Sequence, residues 1–226
     1  MHLLGRPYAA FLFDMDGTLI NSIAATNQVW TKWANGYGLE PQSVLRIMHG
    51  VRAVETIRRL NVPGMDVQHE ADLLTQAEIA ATEGIVAIKG AQALLRLLPA
   101  DRWAVVTSAP RELATHRLEV AGIPKPRVLV AAEDVTRGKP APDAYLLAAR
   151  RLDVEARSCL AWEDTRAGAS AAEAAGADVI VISATHHEPL EIRHPIVVDY
   201  DGMTATVDGD GMLVLNSSAS ALPADR

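Results

Sequence analysis

Residues 9–19 read AAFLFDMDGTL, and this stretch decides the fold of the 226-residue chain. The apolar run from Ala9 to Phe13 predicts a strand buried on both faces, as in the interior of a parallel sheet. Asp14 and Asp16 follow at once, and Gly17 lets the chain turn sharply. Paired carboxylates behind a buried strand are costly unless they bind a cation or carry out chemistry. One can attack phosphorus, and the other can pass a proton to the leaving oxygen.

Working outward, the same pattern of a short apolar run recurs along the chain. Helix-length segments separate the runs. The runs are residues 103–106, 128–130, 159–162 and 179–182, and the helical segments are 111–120, 141–152 and 167–175. Strands that alternate with helices predict an α/β fold with a doubly wound parallel sheet.

Two regions depart from this alternation. Between Ser22 and Gly84 the spacing of apolar residues predicts helices, at residues 24–34, 42–48, 53–60 and 67–83. We therefore predict an inserted helical domain, residues 21–85, and a core made of residues 1–20 and 86–226. Near the end, apolar runs at 203–207 and 212–215 flank a turn rich in Asp and Gly, which predicts a C-terminal β-hairpin. Residues 217–226 are small and polar and are expected to be loosely ordered.

Polar residues follow three more of the predicted strands. Thr107 and Ser108 precede a helix, where hydroxyls and backbone N–H groups can bind an anion or simply cap the helix. Lys139 lies in a Gly-Lys-Pro string and can offset the charge of a phosphate, although most lysines are solvated. Glu163 and Asp164 suit Mg²⁺, or alternatively cap the next helix. Because parallel strands end at one edge of the sheet, we expect all of these groups to meet there.

Composition and charge exclude several classes of protein. The net charge of −7 argues against a nucleic-acid partner. The sequence contains no stretch of 18 or more uncharged apolar residues, so we expect no membrane span. A single cysteine, Cys159, rules out an internal disulfide and fits a reducing compartment. With no signal-peptide pattern at the N-terminus, we expect a cytoplasmic protein. His186 and His187 follow the last core strand, and we interpret them as a surface turn.

The ordered set of motifs resembles the haloacid dehalogenase superfamily. The string from Asp14 to Leu19 resembles its first motif and Thr107-Ser108 its second. Lys139 resembles the third, and Glu163-Asp164 the fourth. The resemblance covers about Ala10 to Ile182 and implies a Rossmann-like core. The helical insertion is similar to the family's type 1 cap, and we call residues 21–85 the cap.

The resemblance also implies a role for each matching residue. Asp14 would be the nucleophile and a metal ligand. Asp16 would be the general acid and base and would offer its backbone carbonyl to the metal. Thr107 would bind the phosphoryl oxygens with help from Ser108, and Lys139 would balance the charge.

A metal cofactor follows from the same resemblance. Asp164 would complete an Mg²⁺ site with Asp14 and Asp16, and Glu163 would be a ligand or a partner of the ligands. An acid at position 16 favours phosphoryl transfer, since the dehalogenases that name the superfamily lack it.

Within the superfamily, the chain is most similar to sugar- and polyol-phosphate phosphatases, including glycerol-phosphate and 2-deoxyglucose-6-phosphate types. One supporting string is His49-Gly50-Val51-Arg52 in the cap, which closes over substrate. His49 or Arg52 would meet a substrate hydroxyl or the phosphate, or else both are ordinary cap-surface residues. The expected partner is a small phosphorylated metabolite, and the expected assembly is a monomer or a weak dimer.

Three other functions remain open on the sequence. A β-phosphoglucomutase-type phosphomutase would share the same core and differ in how the cap shields the phosphoenzyme from water. A phosphonoacetaldehyde hydrolase would need a Schiff-base lysine in the cap, where Lys32 is the only candidate and its surroundings do not match. A non-catalytic phosphometabolite-binding module would usually have lost one of the acids or Lys139.

Overall fold

The computed structural model describes residues 3–186, 188 and 190–217. In chain order its strands are β1 (Pro7–Tyr8), β2 (Ala10–Phe13), β3 (Ile20–Asn21), β4 (Val86–Ala87), β5 (Trp103–Val106), β6 (Val128–Val130), β7 (Cys159–Glu163), β8 (Asp178–Ile182), β9 (Ile196–Val197), β10 (Met203–Val207) and β11 (Leu213–Ser217). Its α-helices are α1 (Ile23–Gly36), α2 (Pro41–Met48), α3 (Ala53–Leu60), α4 (Val67–Ala80), α5 (Ala91–Leu97), α6 (Arg111–Val120), α7 (Asp143–Arg151) and α8 (Arg166–Ala174).

Six of the strands form one parallel sheet in the order β6-β5-β2-β7-β8-β9. Strand β2, which directly precedes Asp14, lies in the interior of this sheet. Its Leu12 is opposite Ala104 of β5 and Ala161 of β7. The predicted doubly wound parallel sheet is confirmed. Because β5 and β7 flank β2, the residues that follow these three strands lie side by side.

Both faces of β2 are covered, as its unbroken apolar sequence predicts. Side chains alternate between the faces of a strand. Phe11 and Phe13 therefore pack in one apolar cluster, while Ala10 and Leu12 pack in another on the opposite face.

The inserted segment folds as the four helices α1 to α4 around its own apolar cluster, which includes Trp30 and Ile57. The fourth helix is shorter than the predicted 67–83. It ends at Ala80 because Ala81 leaves the helical region of backbone space and its N–H bonds to the Glu78 carbonyl. Where the chain enters and leaves the insertion, β3 and β4 pair antiparallel, with Ile20 opposite Ala87. The domain boundaries at 21 and 85 stay a proposal.

The predicted C-terminal hairpin is present as β10 and β11. It gains a third strand that the sequence did not reveal, since β1 pairs antiparallel with β11. Buried Leu213 and Leu215 place this small sheet on the same cluster as Phe11 and Phe13. Residues 218–226, which make up most of the predicted loose tail, lie outside the described part of the chain.

None of the helices in the described ranges is both long enough and apolar enough to cross a bilayer.

Candidate active site

The carboxyl ends of the central strands open into a cavity of about 80 Å³ between the core and the cap. Several sequence-predicted site residues line it, namely Asp14, Asp16, His49, Thr107, Ser108 and Asp164. Lys139 and Glu163 are buried beside them at the same edge of the sheet. The structure thus brings together residues from four separate motifs, as their order along the strands predicts.

Lys139 is the centre of the buried charges. Its ammonium nitrogen lies 2.6 Å from Oδ1 of Asp14 and 2.6 Å from Oε1 of Glu163, and it donates to the Val106 carbonyl at 3.1 Å. Its side chain is 1% exposed. Burial lowers the pKa of Lys139, but the two carboxylates outweigh burial and raise the pKa above its ordinary value. Lys139 is therefore held as a cation.

Glu163 is fixed from several sides. Besides Lys139, the hydroxyl of Tyr145 donates to its Oε1 at 2.6 Å. Gly168 leaves the room that this carboxylate needs, because a Cβ there would lie 1.9 Å from Oε1. Tyr145 was missed by sequence reasoning, since a tyrosine on a helix usually only packs. Tyr145 and Lys139 donate to the same oxygen of Glu163.

Three buried carboxylates, Asp14, Glu163 and Asp164, offer ligand atoms that all lie within 4.8 Å of one another. Burial raises the pKa of Asp14 well above its usual range despite the opposing charge of Lys139. Burial likewise raises the pKa of Asp164 to about 6, against the contact with His186. One ammonium group facing three acids leaves negative charge that a divalent cation would offset, and carboxylate oxygens are the donors that Mg²⁺ prefers. The donor set fits such an ion.

The turn after β2 is shaped around Asp164. Gly17 has a φ of +88°, and a Cβ at this position would lie 2.0 Å from Oδ2 of Asp164. The Thr18 hydroxyl lies 3.4 Å from Oδ1 of the same carboxylate. The Gly-Thr pair of the first motif therefore leaves space for Asp164, which directly follows the neighbouring strand β7.

Thr107 and Ser108 follow β5 and make different hydrogen bonds. Thr107 is buried, and its hydroxyl oxygen accepts a hydrogen bond from the Ala109 N–H at 3.1 Å. Ser108 donates to the carbonyl of Gly50, in the cap, at 2.9 Å. Ser108 therefore connects the core to residues 49–52, the loop between α2 and α3, which we call the cap loop.

The cap loop packs closely on the core. Gly50 has a φ of +74°, and a Cβ there would meet the hydroxyl oxygen of Thr165 at 2.6 Å. His49 lines the cavity, and burial lowers its pKa against the raising effect of Asp16. His49 is thus held near the predicted acid and base.

Arg52 is placed differently from His49. It does not line the cavity. Its guanidinium donates to the core carbonyls of Val135 at 3.1 Å and Thr136 at 2.9 Å, and it pairs with Glu55. These contacts favour a role in holding the cap on the core, and substrate binding by Arg52 stays a prediction.

Asp16 accepts two hydrogen bonds on one oxygen. Ser22, just before α1, donates to Oδ1 at 2.5 Å, and Arg117 of α6 donates to the same atom at 2.9 Å. Sequence reasoning missed both partners. Ser22 resembles an ordinary helix cap, yet its hydroxyl caps nothing.

His186, which we interpreted as part of a surface turn, lies at the site. Its Nε2 atom is 3.8 Å from Oδ2 of Asp164, and its side chain is 25% exposed. His187 lies outside the described residues. No sequence signal separates a histidine of this kind from a surface one.

The chain is similar in sequence to several known proteins. A family model described as "Hydrolase: haloacid dehalogenase-like hydrolase" matches residues 8–176. The chain is 42% identical over 183 residues to hexitol phosphatase A of Escherichia coli (strain K12), covering 79% of this chain and 85% of that protein.

A second curated relative and a solved structure extend the likeness. The chain is 30% identical over 196 residues to 2-deoxyglucose-6-phosphate phosphatase 1 of Saccharomyces cerevisiae, covering 77% of this chain and 80% of that protein. The structure of CbbY from Rhodobacter sphaeroides in complex with phosphate has a TM-score of 0.71 and 25% identity, covering 85% of this chain and 95% of that one.

Proposed function

Since the chain belongs to the haloacid dehalogenase-like hydrolases and is a phosphoric monoester hydrolase, we propose that it hydrolyses a small sugar or polyol phosphate through an aspartyl-phosphate on Asp14, with Mg²⁺ as its cofactor. The observation that carries this proposal is the buried Asp14 carboxylate at the floor of the cavity. It lies 2.6 Å from Lys139 and is grouped with Glu163 and Asp164.

The names of its relatives support the substrate class. Hexitol phosphatase A and 2-deoxyglucose-6-phosphate phosphatase 1 are named for phosphorylated polyols and sugars. The cap residue His49 and the core residue Ser108 both line the cavity, where they would meet the hydroxyl groups of such a substrate. We therefore expect hexitol and hexose phosphates among the substrates.

The first half of the reaction transfers the phosphoryl group to the enzyme. The Asp14 carboxylate forms a bond to phosphorus, and the bond from phosphorus to the alcohol oxygen breaks. Asp16 gives its proton to that leaving oxygen. Thr107 binds the phosphoryl oxygens, and Lys139 offsets negative charge that builds up beside Asp14.

The second half returns the enzyme to its starting state. Asp16 removes a proton from a water molecule, whose oxygen bonds to phosphorus as the bond to Asp14 breaks. Inorganic phosphate leaves, and Asp16 is again protonated. The closed cap limits water at the site before the alcohol departs.

Asp14 and Asp164 would hold the magnesium ion. Glu163 is close enough to contribute, although its Oε1 already accepts hydrogen bonds from Lys139 and Tyr145. When bound, Mg²⁺ supplies positive charge against the phosphoryl oxygens. The backbone carbonyl of Asp16 stays a predicted further ligand.

The test is phosphate release from a panel of hexitol, hexose, glycerol and nucleotide monophosphates, with Mg²⁺ or with EDTA. We expect Mg²⁺-dependent release that Asp14→Asn lowers by about 10³-fold or more, because no carboxylate remains to attack phosphorus. Asp101→Asn, at an exposed position, is the matched control and should keep wild-type rates.

Two outcomes would contradict the proposal. Interconversion of a hexose 1-phosphate on addition of a bisphosphate, without net phosphate release, would identify a phosphomutase. Binding of phosphorylated compounds without any turnover would identify a binding module.

A further inference from the structure

Arg117 is a buried charge that the reaction described above does not use. It lies on α6 with 3% of its side chain exposed, and it belongs to none of the motifs. A guanidinium without bulk water is costly unless its donors are paired. Its partners therefore indicate why it is there.

The partners of Arg117 come from both the core and the cap. Nη1 donates to Oδ1 of Asp16 in the core at 2.9 Å. Nη2 donates to the hydroxyl of Thr26 on α1 at 2.8 Å and to Oε1 of Glu78 on α4 at 3.2 Å. A single side chain thus connects the proposed acid and base to two helices of the cap.

The hydrogen bonds to the Asp16 carboxyl group involve one of its two oxygens. Arg117 and Ser22 both donate to Oδ1, and within the described ranges no residue donates to Oδ2. A carboxyl oxygen offers two lone-pair sites, and the two donors occupy both sites on Oδ1. Oδ1 then sets the orientation of the group, and Oδ2 is the oxygen left to act on the leaving group.

We propose that Arg117 is a positioning residue: when the cap is closed, it fixes Oδ1 of Asp16 and leaves Oδ2 as the oxygen that faces the leaving group. This inference rests on the proposed function, because it assigns a partner to the acid of that reaction. The position of Arg117 depends on the cap through Thr26 and Glu78, because moving these two residues away would leave Nη2 of Arg117 without its partners. Closing the cap and aligning the acid are then a single event.

The leaving group separates this role from a merely structural one. A sugar or polyol leaves as a poor alkoxide and needs the proton from Asp16, whereas 4-nitrophenolate leaves without it. The ratio kcat/KM reports steps up to the first irreversible one, which is the transfer to Asp14 with loss of the alcohol. A lost proton donor therefore lowers kcat/KM for an alkyl phosphate selectively, while a misfolded site lowers it for both substrates.

The experiment measures kcat/KM for sorbitol 6-phosphate and 4-nitrophenyl phosphate. For Arg117→Met we expect a loss of about 10²–10³-fold on the hexitol phosphate and less than about 10-fold on the nitrophenyl ester. Arg117→Lys should recover part of the loss, because an ammonium group still donates to Asp16. Arg96→Met, which removes an exposed arginine from α5, is the matched control.

Two further variants test the connections. In an Asp16→Asn background Arg117→Met should have little further effect, because residues that act through one group are not additive. Thr26→Val keeps the shape but removes the hydroxyl partner of Nη2, and it should show a smaller loss that is again selective for the hexitol phosphate. Thr26→Val also tests the proposal if Arg117→Met fails to fold.

The results distinguish a failure of the positioning role from a failure of the proposed function. Equal losses on both esters, or losses that multiply with those of Asp16→Asn, would overturn the positioning role and leave the proposed function intact. A wild-type protein with no activity on either ester would overturn the proposed function itself. A crystal structure of Arg117→Met with Asp16 rotated away from its present position would support the inference independently of rates.

Discussion

The ammonium nitrogen of Lys139 lies 2.6 Å from Oδ1 of Asp14, and both side chains are buried. The cation and the proposed nucleophile come from distant parts of the chain and meet at the cavity. Since a buried charge is stable only when paired, each of these residues depends on the other. Stability and activity are therefore linked at this contact.

The first prediction concerns Lys139→Met, which leaves the carboxylates of Asp14 and Glu163 without their shared cation. Leaving buried charges unpaired costs about 3–5 kcal/mol, which lowers Tm by about 10 °C in a chain of this size. Phosphate release should fall as well. Adding Glu163→Gln should restore part of the Tm, because it removes one of the unpaired charges.

Lys32→Met is the matched control for this variant. Lys32 lies exposed on α1, so its loss should change neither Tm nor rate. A rate that collapses in Lys32→Met would instead support a Schiff-base lysine in the cap. An unchanged Tm in Lys139→Met would show that the buried carboxylates do not need the cation.

The second prediction concerns the fit of the cap loop on the core. Gly50→Ala places a Cβ within 2.6 Å of the Thr165 hydroxyl oxygen, so the loop has to move away from the site. Displacing a group that orients substrate by about 1 Å costs up to about 10²-fold, and we expect kcat/KM to fall by about 10-fold or more. Steady-state kinetics on a hexitol phosphate would measure it.

Gly38→Ala is the control for backbone strain. Gly38 also has a positive φ, of +66°, but nothing lies within 4 Å of the added Cβ. Both variants should lose about 1 kcal/mol of stability, while only Gly50→Ala should lose activity. If the two lose activity equally, the close approach to Thr165 does not matter.

The third prediction concerns pH and magnesium. The pKa of Asp164 is raised to about 6 from an ordinary value of 3.8. In the metal-free protein the folded state thus keeps a proton that the unfolded state loses, so this group's contribution to stability falls as pH rises between these two values. Since Mg²⁺ binds the ionised carboxylate, its stabilising effect should be small near about pH 5 and large near about pH 7.5.

Thermal unfolding with Mg²⁺ or EDTA at each pH measures this effect. At about a hundred times its Kd, Mg²⁺ should raise Tm by about 5–10 °C at the higher pH. Asp164→Asn should abolish the shift, and Asp101→Asn should keep it. A shift of equal size at both pH values would mean that Asp164 does not hold the ion.

Much of the fold could be read from the sequence because the strands of the central sheet are short and largely apolar. Runs such as residues 103–106 and 128–130 match β5 and β6 to the residue. The small antiparallel pairs were missed, since β1 and β3 contain two residues each and carry no periodic signal. Helix α5 was also missed, because its seven residues are few for a periodic pattern.

The candidate site divides along similar lines. Residues directly after a strand, such as Asp14 and Asp164, could be placed because the topology of a parallel sheet brings strand ends together. Arg117 and Tyr145 could not, because they lie within helices, where one polar side chain looks like any other. Which helical residue faces the site depends on how the helix is rotated against the sheet, and a single sequence does not show that rotation.

The pairing of β1 with β11 has a consequence for how the protein is made. Pro7 lies opposite Val214, so two strands that are far apart in the sequence are neighbours in the small sheet. That sheet supplies Leu213 and Leu215 to the cluster behind the strand that presents Asp14. During synthesis β1 therefore waits until β11 has emerged before its packing is complete. A nascent chain released before β11 would carry all four motifs and still lack the layer that supports them.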